Sequence, residues 1–391
     1  MRVLSTVHDL TLPPRGVVHE ARRRNIALAV GALLAGQRAS LTANGRRLDV
    51  ATNDKHRIKR CDRLLGNPHV QAELPAFYGA IARRLLAGVQ RPLLLVDWTC
   101  LHVHTQSLVI AVPVEGRAIP ICVESVRVPM PEYAMRRAER AALARLRLML
   151  PADSRPIVIA DAGFRTGFMR DVTALGWDYI VRLRGHQSLR FAVGDWTPLR
   201  ELFGQARPRR ASDLGLAHLT KQRTPMPCRV ILAQRPRKGP DRHRWYPRRA
   251  GNARGSARRA AKEPTILATS LCDTPPAAVL ALYARRMRIE ETFRDAKTAR
   301  YGWFLEVVRS RRPERWAVLW LIVALAMLTV ILLGMAVECS GLHRAFQANT
   351  EHRRRTLSWF TLGAYALRRP PPGHLTPSSR LSLDHLVGMP P

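Results

Sequence analysis

The run WAVLWLIVALAMLTVILLGMA, from Trp316 to Ala336, contains no charged residue. As a helix it would be about 30 Å long, enough to cross the hydrocarbon of a bilayer. The same pattern suits a helix in the middle of a large α/β core, apolar all round because every face is covered. That alternative requires much of the remaining chain to be organised around one helix. The run is the only one of its kind in the sequence and follows a charged helical segment after a short connection, which favours the buried position. The chain has 391 residues, 47% of them hydrophobic, sufficient for a full core and two or three domains.

The rest of the pattern is mixed. Residues 1–88 read as mainly helical, with helical stretches over Arg22–Gln37 and Asn53–Leu65. From about residue 91 the apolar runs shorten to strand length. LLLVDWTC is a candidate strand, and SLVIAVPV and RAIPICVES, separated by Glu115-Gly116, read as a hairpin. A helix with a row of arginines is expected over Pro131–Leu150, then a strand IVIAD, a short helix near Gly167–Leu175 and a strand DYIVRLRG. Beyond Gly185, WTPLRELF, CRVILAQ and PTILATSL are short strand-like pieces. A basic stretch rich in Gly and Pro, from Arg235 to Lys262, divides them. RTLSWFTLGAYALRR suggests one further helix before a Pro-rich tail.

Within LALYARRMRIEETFRDAKTARYG, Tyr283, Arg286, Glu290 and Lys297 stand at i, i+3, i+7 and i+14. On a continuous helix these positions lie within roughly 60° of one another. Such a face carries a carboxylate between two cations and a phenol. A carboxylate holds a hard divalent ion and Arg and Lys grip phosphate oxygens, so the stripe has the makings of half a phosphoryl-transfer site. Glu291 lies about 100° away around the helix. Two further carboxylates close apolar strands, Asp97 in RPLLLVDWTC and Asp161 in RPIVIADAGF. A strand-ending Asp is also a common turn or cap residue, and Arg286 with Glu290 could be a structural ion pair.

These residues resemble the DDE transposases of bacterial insertion sequences, in the group named after insertion sequence four, whose signature around the catalytic glutamate is Y-x2-R-x3-E-x6-K. The resemblance spans about residues 40–345. It implies an α/β fold: a ribonuclease H-like catalytic core interrupted by a β-rich insertion, with a helical N-terminal DNA-binding region. The order of three strands, helix, strand, helix, strand suits that core. The expected parts are an end-binding region 1–88, the core in two pieces 89–185 and 276–345, the insertion 186–275, and a C-terminal helix and tail 346–391. The resemblance further implies that Asp97, Asp161 and Glu290 are catalytic and hold Mg2+ or Mn2+, two ions per site. Tyr283, Arg286 and Lys297 would act on DNA. The expected reaction is cleavage at terminal inverted repeats and joining of 3′-hydroxyls to target DNA, by a homodimer holding paired ends.

Charge points the same way. With 64 Lys and Arg against 29 Asp and Glu, the formal net charge is +35, which implies a polyanionic partner. Lys55, Arg57, Lys59 and Arg60 in NDKHRIKRCDRLL are candidate DNA contacts. Trp245, in the basic stretch, is a candidate for stacking on a base, with Trp196 as a second. Cys100, His102 and His104 alternate along CLHVH, a weak zinc pattern with no distant partner pair. The six cysteines include no C-x2-C pair, and the N-terminus lacks a signal-peptide pattern. A cytoplasmic, nucleoid-associated protein without a membrane partner is therefore expected. The remaining alternatives are a related nuclease, an inactive DNA-binding descendant, and a single-span membrane protein.

Overall fold

The computed structural model describes residues 12–369 except 103, 185–186, 193, 221–223, 235–262, 299–302, 349 and 352–353. The chain forms two compact units, Met1–Pro156 with Met287–Pro391, and Ile157–Arg286.

Among the described residues, the first unit opens with four helices whose starts are marked in the sequence. α1 (Glu20–Gly36) is capped by His19, α2 (Leu41–Arg46) by Ser40, α3 (Asp54–Gly66) by Asn53 and α4 (Pro68–Leu85) by Asn67, each accepting from an orphan backbone N–H of the first turn. An antiparallel meander follows: β1 (Leu93–His102), β2 (Thr105–Val114) and β3 (Arg117–Arg127). The β2–β3 turn has Gly116 at φ +74°, which a side chain would resist. The order across this part is β3-β2-β1, with Asp97 opposite Val109. α5 (Glu132–Met149) packs on β2 and β3.

The same unit resumes with α8 (Met287–Lys297), α9 (Pro313–Cys339) and α10 (Trp359–Arg368). α9 holds the long apolar run. It packs against β3, α1, α4 and α10, and Trp316 and Val318–Val337 are all buried. The charge-free segment is thus covered within the fold. Its crossing with α10 is close because of two glycines. A Cβ at Gly334 would stand 1.9 Å from the Trp359 carbonyl oxygen, and one at Gly363 would stand 1.9 Å from that of Val330.

In the second unit, β4 (Ile157–Ala160) runs parallel to β5 (Asp178–Leu183), with α6 (Thr166–Ala174) between them in sequence. The remaining strands among the described residues are β6 (Ser188–Phe191), β7 (Thr197–Pro198), β8 (Ala211–Leu219), β9 (Met226–Ala233) and β10 (Thr265–Thr269). Their order is β4-β5-β10-β9-β8-β6-β7. β10 pairs with β5, so strands expected to form a separate insertion extend the sheet begun by β4 and β5. WTPLRELF is mostly a 3₁₀ turn, Leu199–Gln205, because its apolar Leu199 and Leu202 are three apart. α7 (Pro276–Ala284) closes the unit against β8 and β9.

The segment expected as one helix through Tyr283, Arg286, Glu290 and Lys297 is two. Arg285 N–H donates to the Leu282 carbonyl and Arg286 N–H to that of Tyr283. These i→i−3 bonds tighten the chain out of α-helical geometry between α7 and α8. Tyr283 therefore belongs to α7, Arg286 to the junction, and Glu290 and Lys297 to α8.

Candidate active site and nucleic-acid surface

In the first unit, Asp97 is the fifth residue of β1 rather than its end. It follows the buried run Leu93–Val96 and is half-buried. Its Oδ1 accepts from the Trp98 backbone N–H at 2.8 Å, while the Trp98 indole N–H donates to Glu139 of α5 at 3.3 Å. Period-two alternation puts Asp97 on the sheet face opposite Trp98.

α8 also packs on this meander and is fastened by its polar and apolar positions together. Ile289, Phe293 and Ala296 are buried, and the Phe293 ring meets Trp320 of α9 edge-on at 6.0 Å. Thr292 Oγ1 accepts from Ala118 N–H at 2.8 Å and lies 2.9 Å from the Ala118 carbonyl, which it can serve as donor. Asp295, 1% exposed, pairs with Arg117 at the start of β3. The other face of α8 presents Glu290, Glu291, Arg294 and Lys297. Glu291 is ion-paired with Arg294 one turn on. Lys297 is half-buried, and its Nζ lies 5.7 Å from the Phe293 ring centroid. It makes no ion pair among the described residues. Burial lowers its pKa; Cys100, Glu306 and Asp97 act in the opposite sense. Asp97 and Lys297 are thus electrostatic neighbours, and Glu290 lies two helical turns from Lys297 on the same face.

In the second unit, Asp161 comes directly after β4. Its Oδ1 accepts from Gly163 N–H at 2.7 Å, forming a local Asx-type turn. A Cβ on Gly163 would lie 2.9 Å from that oxygen, so the glycine leaves room for the carboxylate. Phe164, buried against Phe168 of α6 at 4.7 Å, fixes the far side of the turn. D-A-G-F therefore reads as a carboxylate, a clearance and an anchor.

Tyr283, expected to act on DNA, is 3% exposed, so its ring has no face open to a base. Burial raises its phenol pKa, opposed by Arg286, with which it shares a hydrogen bond, and by Arg182; Asp161 also contributes to the local field. Asp161, Arg182, Tyr283 and Arg286 form one electrostatic group. Arg182, from β5, was not singled out in the sequence, although a cation inside the apolar DYIVRLRG is the signal that points to it.

Of the cations on α3, Lys55 and Lys59 are exposed. Arg60 donates twice to Asn25 of α1, at 2.9 and 2.7 Å, and Arg57 turns back toward the Arg46 carbonyl at 3.5 Å. Between α1 and α3 lies a groove whose ionisable lining is Arg22, His56, Lys59, Arg60 and Arg63, without a carboxylate. Trp245 and the basic stretch around it lie outside the described residues. Trp196 is half-buried, with the Arg190 guanidinium 5.4 Å from its ring centroid. Among the described residues, no three His, Cys, Asp or Glu side chains are gathered as a metal cluster.

Residues 89–329 match the family model described as the transposase DDE domain. That is more than half the chain, and the chain belongs to this family. Its function is accordingly of the transposase type, that of a nucleotidyl-transferring enzyme acting on DNA. No curated protein matches the chain.

Proposed function

We propose that the protein is a DNA transposase of the insertion sequence four type. In this proposal it binds terminal inverted repeats, cleaves the element ends and joins their 3′-hydroxyls to target DNA by divalent-metal-dependent phosphoryl transfer. The observation that carries this is the family match, which takes in Asp97, Asp161 and Glu290 together with Tyr283, Arg286 and Lys297.

The three acids are assigned to Mg2+ or Mn2+ because an all-carboxylate donor set suits a hard cation. Glu290 is assigned as the helix-borne ligand because it shares a helix face with Lys297, two turns on, whereas Glu291 lies about 100° around the helix. When bound, the metal supplies activation of the attacking oxygen and charge neutralisation on the leaving one. Lys297, a half-buried ammonium without an ion-pair partner among the described residues, is suited to a non-bridging phosphate oxygen. Arg286 is assigned a second phosphate contact, oriented by the buried Tyr283. The α1–α3 groove and the exposed Lys55 and Lys59 are assigned to the DNA backbone. Two ends require two copies, hence a homodimer, acting at the nucleoid in the cytoplasm.

The test uses full-length D97A, D161A, E290A and E291A with Mg2+ or Mn2+ on duplexes carrying the inverted repeats that flank the gene. The first three should bind but not nick, and E291A should keep substantial activity. Nicking by all of the first three would refute the assignment, and nicking without any joined product would leave a nuclease.

A further inference from the structure

The connection from α8 to α9 has no part in the chemistry above, yet it carries Arg309, Arg311 and Arg312 in close succession. All three are exposed, and none makes an ion pair, hydrogen bond or ring contact through its side chain among the described residues. The turn that holds them is fastened at both ends. On one side, the 3₁₀ turn Leu305–Val307 packs against β1 and α8, Leu305 and Val308 are buried, and Val308 N–H donates to the Leu305 carbonyl at 3.0 Å. On the other, the indole N–H of the buried Trp316 donates to the Ser310 carbonyl at 2.9 Å, and Arg315 pairs with Asp62 near the end of α3. Beside Asp62 is Arg63, which lines the α1–α3 groove. The turn therefore runs from the elements that carry Asp97, Glu290 and Lys297 to the end of the groove assigned to the DNA backbone. Stability does not explain its arginines. Arg312 precedes the first turn of α9 without a side-chain cap, and cations at a helix N-terminus oppose the macrodipole. Nor do the acids of the segment pair with them among the described residues: Glu306 acts on Lys297, and Glu314 lines a cavity with Gln71 and Tyr78 of α4.

We propose that Arg309, Arg311 and Arg312 hold the DNA backbone between the bound repeat and the scissile phosphate. The inference rests on the transposase assignment, which makes DNA the partner. Charge and geometry both select phosphate as the occupant. Guanidinium forks match phosphate oxygens, and the N-terminal end of α9 adds the positive end of its dipole to theirs. Because the turn is fastened at both ends, little further ordering is needed when it binds. Contacts to the backbone carry no sequence information. The turn thus sets where an end lies relative to the carboxylates, and leaves the choice of end to other residues.

The test is fluorescence anisotropy of the full chain across a salt series, on a duplex that runs through the cleavage site and on a shorter one carrying only the inner part of the repeat. R309A/R311A/R312A should lower the slope of log K against log salt on the longer duplex by about 2.7, three phosphates at about 0.9 each, and leave the slope on the shorter one unchanged. R309K/R311K/R312K should restore most of that slope. The alanine variant should melt at or above wild type, since it removes cations from a helix N-terminus. R311A alone, which keeps Arg312 before α9, should lose about 0.9 and decides the matter if the triple variant does not fold. A salt-dependent wild type with an unchanged slope in these variants on the longer duplex would overturn the proposal while leaving the transposase assignment in place. Equal loss on both duplexes would put the contact inside the repeat and overturn it too. A wild type with no salt-dependent DNA binding would overturn both the proposal and the assignment.

Discussion

Lys297 shows how a binding residue works against the fold that carries it. Its ammonium is half-buried without an ion pair among the described residues, and burial lowers its pKa. A lysine whose folded value lies below its unfolded value of about 10.4 destabilises the fold at neutral pH, where both states are charged. Stability should rise as pH climbs from the folded value to the unfolded one. Lys297→Met should therefore melt above wild type at neutral pH, and the gap should close toward alkaline pH in a thermal-denaturation series. The same variant should weaken binding to cleaved ends and lower the salt slope by about one unit. Gly163 is a second case. Ala there would press on Asp161 Oδ1, so Gly163→Ala should reduce nicking on the order of 10- to 100-fold while the melting temperature changes little. The candidate carboxylates were legible because each sits beside a strong pattern, an apolar strand or a charged helix. The burial of Tyr283 was not, since a phenol at a helical offset has the same spacing whether it faces core or solvent.

At the scale of elements, the strands and helices with sharp ends were readable. β2 and β3 meet at Gly116, and α3 starts after its cap Asn53, where the helical stretch Asn53–Leu65 was expected. β8 was missed because Asp213 and Gly215 interrupt its alternation at a register shift, with Gly215 at φ +86°. The junction between α7 and α8 was missed for the opposite reason. No glycine or proline marks Ala284–Met287, so the offsets keep helical phase through the break. The α9–α10 crossing gives the clearest prediction. Each glycine faces a backbone carbonyl of the other helix, an obstacle that cannot rotate away. Gly334→Ala or Gly363→Ala should cost about 3 kcal/mol, measurable as a lower denaturant midpoint. Trimming the neighbouring Val330 side chain should not restore it.

At the scale of the whole molecule, the charge-free run is decided by its surroundings. Composition alone leaves a membrane span and a core helix equivalent, and what separates them is the apolar surface that other elements supply. Within its unit, α9 is enclosed by β3, α1, α4 and α10. The purified protein should accordingly stay in solution at moderate salt without detergent; recovery only in membranes that resist alkaline carbonate would contradict this. The enclosure also has a consequence for biosynthesis. A ribosome releases α1, α4 and β3 well before Pro313 is translated, and chains fold from the N-terminal side as they emerge. The most sticky segment of the protein thus reaches the exit tunnel when nearly all of its cover has been made. Among the described parts of its cover, the 3₁₀ turn Leu342–Phe346 and α10 follow it, so the span that most resembles a membrane anchor has a short wait for a binding surface.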